Sequence, residues 1–172
     1  WTIRLKKSYL KFSAAHMTVY PNGSKEPLHG HNYQVHVDID VNDASFAKMI
    51  DFNLYKQILR HLCDSWDEMI LIQGNNPLVK IEVSGVSTKI NVCEKNYVFP
   101  TDEVHVLDIE NITTELLAKK LGFLLVDALK DEGVLSWTEG SEDVIEEIRL
   151  GVFETAGQGA NYHLNSNNYN SI

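Results

Sequence analysis

The sequence predicts an α+β domain, an antiparallel β-sheet with two helices packed on one face. Three observations lead there. Strand-like alternation occupies residues 2–16, 31–41 and about 144–154. Helical three-to-four spacing follows Asp51 and again Thr113. No repeat, linker or low-complexity tract interrupts residues 1–155, so the order ββα, insert, αβ belongs to a single domain.

Residues 2–16 read as a strand whose phase changes. Ile3 and Leu5 lie on odd positions, whereas Leu10, Phe12, Ala14 and His16 lie on even ones, which requires a bend or bulge near residues 7–9. In residues 31–41 the odd positions hold His31, Tyr33, Val35, Val37, Ile39 and Val41 against a polar even face, the pattern of a half-buried antiparallel strand. Asp51 is placed to cap a helix carrying Leu54, Tyr55, Ile58, Leu59 and Leu62. A second helix opens at Thr113 or Thr114, carries Leu117, Leu121, Leu124, Leu125 and Ala128, and has Gly133 as its C-terminal cap. Ile148, Leu150, Val152 and Glu154 share one face of the last strand. Between residues 77 and 100, alternation on either side of Ser84 and Gly85 predicts an inserted hairpin. Residues 156–172, polar and rich in Asn, are expected to form a flexible tail.

The chain has 172 residues, enough to bury a sizeable core without a disulfide or a structural metal. Its longest apolar stretches fall far short of the ~20 residues of a membrane span. No charged region followed by an apolar stretch opens the sequence, so a secretory leader is not expected. A formal charge of −9 argues against a nucleic-acid partner, because only Arg4, Lys6, Lys7 and Lys11 cluster. Cys63 and Cys93 lack CxxC spacing and fall in helix-like and strand-like segments, which fits a reducing, cytoplasmic location.

The chemistry concentrates in residues 11–33. His29 and His31 are two apart at the start of a strand, so both imidazoles project from one face. His16 lies on the apolar face of the first strand, and residues 17–28 can fold back so that three imidazoles converge. Three neutral imidazoles suit Zn²⁺ and leave a fourth position open, as in catalytic sites. On spacing alone, a core histidine and two turn histidines explain the pattern equally well. Between His16 and His29 the ionisable residues are Lys25 and Glu26, and next to a metal Glu26 is the one suited to act as a base. Away from a metal, Glu26 reads as an ordinary solvated acid.

FSAAH followed by HGHNY, then IDF before a helix, an acidic pair at that helix's end, TTE opening the second helix and a terminal FET resemble the 6-pyruvoyltetrahydropterin synthase family, which includes 6-carboxytetrahydropterin synthases. The resemblance covers residues 3–155 apart from the insertion. It implies the tunnelling fold, in which sheets of several subunits close into a barrel, with a homo-hexamer as a dimer of trimers and active sites at the interfaces. It also implies Zn²⁺ on His16, His29 and His31, and a small-molecule pterin anchored by Glu154. One carboxylate can accept two parallel hydrogen bonds from the amino and ring N–H edge of a pterin. Thr113, Thr114 and Glu115 at a helix start are further candidates for pterin contacts, and capping explains the threonines equally well.

Two positions depart from the family pattern. Pyruvoyl-forming members carry a cysteine shortly before HGH. Here Glu26, Pro27, Leu28 and His29 instead resemble the glutamate-containing variant of apicomplexan parasites, which is associated with 6-hydroxymethyl-7,8-dihydropterin for folate biosynthesis. At the second, Asp67 keeps the acid of the family's Asp-His pair, but Glu68 stands where the histidine is expected, with His105 as a possible substitute. The implied substrate is 7,8-dihydroneopterin triphosphate. Lys6, Lys7, Lys11 and Lys25 are the cations available for its phosphates. The alternatives are formation of 6-pyruvoyltetrahydropterin, as in a tetrahydrobiopterin-type pathway, and a zinc- and pterin-binding protein without turnover.

Overall fold

The computed structural model describes residues 1–138 and 141–170. Its strands are β1 (Thr2–His16), β2 (His29–Val41), β3 (Met69–Gln73), β4 (Val79–Ser84), β5 (Ser87–Val92), β6 (Lys95–Pro100), β7 (Val104–Leu107), β8 (Ile145–Thr155) and β9 (Gln158–Leu164). The helices are α1 (Phe52–Trp66), α2 (Thr114–Asp131) and a short α3 (Ser166–Tyr169). Six strands form one sheet in the order β7-β3-β1-β2-β8-β9, and β4, β5 and β6 form a separate sheet.

The long β1–β2 pairing carries the predicted bulge. Lys6 faces His36 and Lys11 faces Gln34, so β1 loops out between them and changes phase. Beyond the bulge Leu10, Phe12 and Ala14 point with Tyr33, Val35, Val37 and Ile39 into one core, which both long helices cover. Each helix starts as its sequence dictates. Asp51 accepts hydrogen bonds from the amides of Asn53 and Leu54, and the Thr113 hydroxyl accepts from the amide of Leu116. Past the end of α2, Gly133 adopts a φ of 70°, the left-handed conformation that closes a helix at low cost for glycine.

Three features differ from the sequence reading. First, the sheet is mixed, because β3 runs parallel to β1 and β7 parallel to β3. Second, the insertion is a three-stranded sheet instead of a hairpin. Its second turn uses Cys93 and Glu94 at φ 47° and 63°, positions where glycine or asparagine would have signalled a turn, and Cys93 is therefore a turn residue and not a strand residue. Third, most of the expected flexible tail is folded. Residues 158–164 pair with β8, and the 165–169 segment closes with a capping box, while residues 171 and 172 lie outside the described residues. The tail has apolar payload after all, because Ala160, Tyr162 and Leu164 alternate and Leu164 is fully buried. Gly122 of α2 makes room for it: a Cβ there would stand 2.7 Å from Leu164 Cδ1.

Among the described residues no helix is long and apolar enough to cross a membrane.

If β9 belongs to the core, Leu164→Ala should lower the unfolding free energy by about 2–5 kcal/mol, measured by urea denaturation. A loss below about 0.5 kcal/mol would be the signature of a surface tail.

Candidate active site

The β1–β2 register builds the centre of the site. His16 lies directly across from His29, and Ala14 across from His31, so three imidazoles emerge on one face at the end of the sheet. Ring centroids are 4.6 Å apart for His16 and His29, 5.3 Å for His16 and His31, and 4.8 Å for His29 and His31. One nitrogen from each ring falls within 4.8 Å of the others.

The chemistry of the donors fits a metal ion. His16 is 2% exposed, and among the described residues neither of its ring nitrogens has a hydrogen-bond partner. Burial, reinforced by the neighbouring His29 and His31, pushes its pKa down to about 4 and keeps the ring neutral. A buried neutral imidazole with two unsatisfied nitrogens is costly unless something else satisfies it. His29 Nδ1 lies 2.8 Å from the Pro27 carbonyl, a contact that needs the proton on Nδ1 and leaves the Nε2 lone pair free.

Two carboxylates flank the imidazoles. Glu26 Oε2 is 3.9 Å from His29 Nε2, and Glu154 Oε1 is 3.8 Å from His31 Nε2. Hydrogen bonding from the Thr18 hydroxyl, and then from Tyr20, outweighs desolvation and holds the Glu26 carboxyl below its usual pKa. Glu26 is therefore ionised at neutral pH and able to accept a proton. Tyr20 Oη donates to Glu26 Oε1 at 3.0 Å. Glu154 accepts a hydrogen bond from Gln158 Nε2 at 2.9 Å.

The three histidines, Glu26 and Glu154 line one cavity of about 400 Å³. Thr113, Thr114 and Glu115, at the start of α2, form another part of its wall. The Glu115 carboxyl sits below its usual pKa, first through its own backbone N–H and then through the threonine hydroxyls. Asn111 fixes this wall to the strand side, since its side chain accepts from the Val19 amide at 3.0 Å and donates to the Val19 carbonyl at 2.8 Å. Beside the histidines, with its ring centroid 5.7 Å from that of His31, Tyr33 holds a second polar group without a hydrogen-bond partner among the described residues, its hydroxyl, and burial raises its pKa.

Other residues singled out from the sequence lie elsewhere in the chain. Asp67 ends α1 and accepts the Ser13 amide at 2.6 Å, which explains an acid there by packing alone. Glu68, at φ 59°, borders a second hollow with Ser13, Gly30 and Asn32, one that shares only His31 with the histidine cavity. His105 lies on β7, 6.4 Å from the Trp66 ring, and burial lowers its pKa. None of these three lines the histidine cavity, and neither do Lys6, Lys7, Lys11 and Lys25. Sequence reading missed Gln158 and Gly159, which do line it, because both fall in the supposed tail. Gly159 was a usable signal: a Cβ there would stand 2.4 Å from the Val152 carbonyl, so the strand approaches β8 too closely for any side chain.

The family model for 6-pyruvoyl tetrahydropterin synthase matches residues 5–165. A Methanocaldococcus jannaschii protein, provisionally named 6-carboxy-5,6,7,8-tetrahydropterin synthase, is 30% identical over 156 residues, or 89% of this chain and 89% of its own length. Among solved structures, 6-pyruvoyl tetrahydropterin synthase of Plasmodium falciparum superposes with a TM-score of 0.80 at 24% identity, over 96% of this chain and 98% of that one. A Plasmodium vivax 6-pyruvoyltetrahydropterin synthase in which a catalytic glutamate is exchanged for alanine gives 0.82 at 22% identity, with the same coverage. These superpositions bear out the tunnelling-fold expectation for the single chain. With nearly its whole length matched, the chain belongs to the 6-pyruvoyl tetrahydropterin synthase family, whose members are lyases.

Proposed function

We propose that this chain is a zinc-dependent pterin synthase that cleaves the side chain of 7,8-dihydroneopterin triphosphate to 6-hydroxymethyl-7,8-dihydropterin, for folate biosynthesis. The observation that carries this reading is the convergence of Glu26, three imidazoles and Glu154 in one cavity. Bound by His16, His29 and His31, Zn²⁺ supplies Lewis acidity toward oxygen ligands.

The remaining work falls to the side chains. Glu154 accepts the amino and ring N–H edge of the pterin, and Gln158 holds one of its oxygens in place. Thr113, Thr114 and Glu115 close another part of the wall around the ring. Glu26, ionised and steadied by Tyr20, takes the proton of the C2′ hydroxyl. The C1′–C2′ bond then breaks: C2′ becomes an aldehyde that keeps the triphosphate arm, and the electron pair left on C1′ delocalises into the dihydropterin until C1′ is protonated. A catalytic glutamate in the P. vivax relative supports giving this role to Glu26.

The active unit is a homo-hexamer with active sites at subunit interfaces, located in the cytoplasm. Free sheet edges at β7 and β9 support the assembly, as does the fact that β3 covers only the Ala14–Ala15 end of the second side of β1. Asp67, Glu68, Lys6, Lys7 and Lys11 then reach a cavity only from a neighbouring copy. Two free cysteines, Cys63 and Cys93, support a reducing location.

The deciding experiment is incubation with 7,8-dihydroneopterin triphosphate and mass identification of every pterin formed. The 6-hydroxymethyl product supports this reading. 6-Pyruvoyltetrahydropterin alone would replace it with triphosphate elimination, and tight binding without turnover would replace it with a binding protein.

One zinc per chain should be found by elemental analysis, and the His29→Ala, His31→Ala double variant should lose it. Glu154→Gln should fold but raise KM about 10- to 100-fold, because a carboxamide cannot accept both hydrogen bonds and a charged one is worth roughly 1.5–3 kcal/mol. Glu26→Ala should keep zinc and pterin binding while turnover falls by ~10²–10⁴ in a steady-state assay.

A further inference from the structure

The separate β4–β6 sheet touches the loop that carries Glu26. Tyr97 of β6 lies against the Lys25 ammonium, with Nζ 5.1 Å from the ring centroid. The same Nζ donates to the Glu26 carbonyl at 2.9 Å. Cys93, in the β5–β6 turn, places its thiol 3.7 Å from the Ser24 carbonyl. On its other side the loop is tied to the chain just beyond His16: Val19 and Lys25 form an antiparallel bridge, and the Glu26 amide donates to the Thr18 carbonyl at 2.9 Å. The backbone of Glu26 is thus gripped at its N–H by the histidine strand's extension and at its C=O by a lysine seated on the inserted sheet.

That seat is rigid. Tyr97 stacks on Phe99 at 5.9 Å with planes 11° apart, and both pack against a small core of Ile90, Val92, Met17, Val19 and Ile72. A cation over an aromatic face is held without needing a fixed hydrogen-bond angle, so the Lys25 stem can direct its donors at the loop. A misplacement of about 1 Å of a reacting group can cost roughly 10²-fold in rate, so a base carried on a surface loop gains from a fixed backbone.

We propose that Lys25 and Tyr97 are positioning residues, through which the inserted sheet sets Glu26 against the histidine cluster. This rests on the reading of Glu26 as the base. Neither residue touches substrate.

The test uses the zinc-loaded full chain and five variants, Tyr97→Leu, Tyr97→Phe, Lys25→Met, Glu26→Gln and the Tyr97→Leu, Lys25→Met double variant. The readouts are kcat and KM with 7,8-dihydroneopterin triphosphate, zinc stoichiometry, and hydrogen exchange at the Glu26 amide. Tyr97→Leu and Lys25→Met should each lower kcat about tenfold with KM and zinc unchanged, and should speed exchange at Glu26 by about the same factor. Tyr97→Phe keeps the ring face and should restore both values. The Tyr97→Leu, Lys25→Met double variant should be no worse than either single one, since both act along one line of contacts. Should Tyr97→Leu fail to fold, Lys25→Met, on the exposed loop, carries the test.

Unchanged kcat and exchange in Lys25→Met, with Glu26→Gln inactive, overturns the brace and leaves the base in place. A raised KM at constant kcat also overturns it, since Lys25 would then be a phosphate contact. If Glu26→Gln keeps the parent turnover, the base assignment falls, and exchange at Glu26 alone decides whether the brace exists.

Discussion

Everything in the site depends on one register, His16 opposite His29 and Ala14 opposite His31. Side chains alternate with a period of two, so a slip of one residue would send His16 to the opposite face from its partners. The bulge sets that register. From Lys6 to Lys11 β1 advances five residues, while β2 advances two, from His36 to Gln34. The difference is odd, and it moves the buried positions of β1 from odd to even. Without it, Leu5 and Phe12 could not both face the core, and the imidazoles would pay for a well-packed N-terminal half by facing solvent.

Below the histidines the same register produces a close-packed base. Phe12 stacks on Tyr33 with ring centroids 4.8 Å apart, and Trp66 meets Phe12 edge-on at 5.4 Å. This aromatic cluster lets little shift. Polar groups at its upper boundary, the His16 nitrogens and the Tyr33 hydroxyl, have no hydrogen-bond partner among the described residues. A rigid base topped by unsatisfied polar atoms is what a ligand site requires, because the protein has already met the cost of ordering them.

The elements legible from sequence were those whose signal is local. Alternation in residues 31–41 revealed β2, and the Asp51 and Thr113 caps marked both helix starts. The phase change at Lys6–Lys11 could be read because it reverses which residues are apolar. Local pattern says much less about pairing between distant segments. The strands β3 and β7 are short and parallel, and they gain their place only by docking, β3 beside Ala14 and Ala15 and β7 in turn beside β3. The insertion's second turn hid because Cys93 and Glu94 adopt positive φ without glycine. In the site, the histidines and Glu26 were legible through their types and spacing and Glu154 through the family resemblance, whereas Asp67 also satisfies a backbone amide, a role that residue type alone does not reveal.

The placement of Gln158 on β9 separates the site in time. The three imidazoles all lie on β1 and β2, so the chain holds every one of them once residue 31 has been added. The Glu154 carboxylate is steadied by a residue from the last strand, which can dock only when almost the entire chain has emerged. A nascent chain therefore carries all three imidazoles long before it can orient the carboxylate beside them.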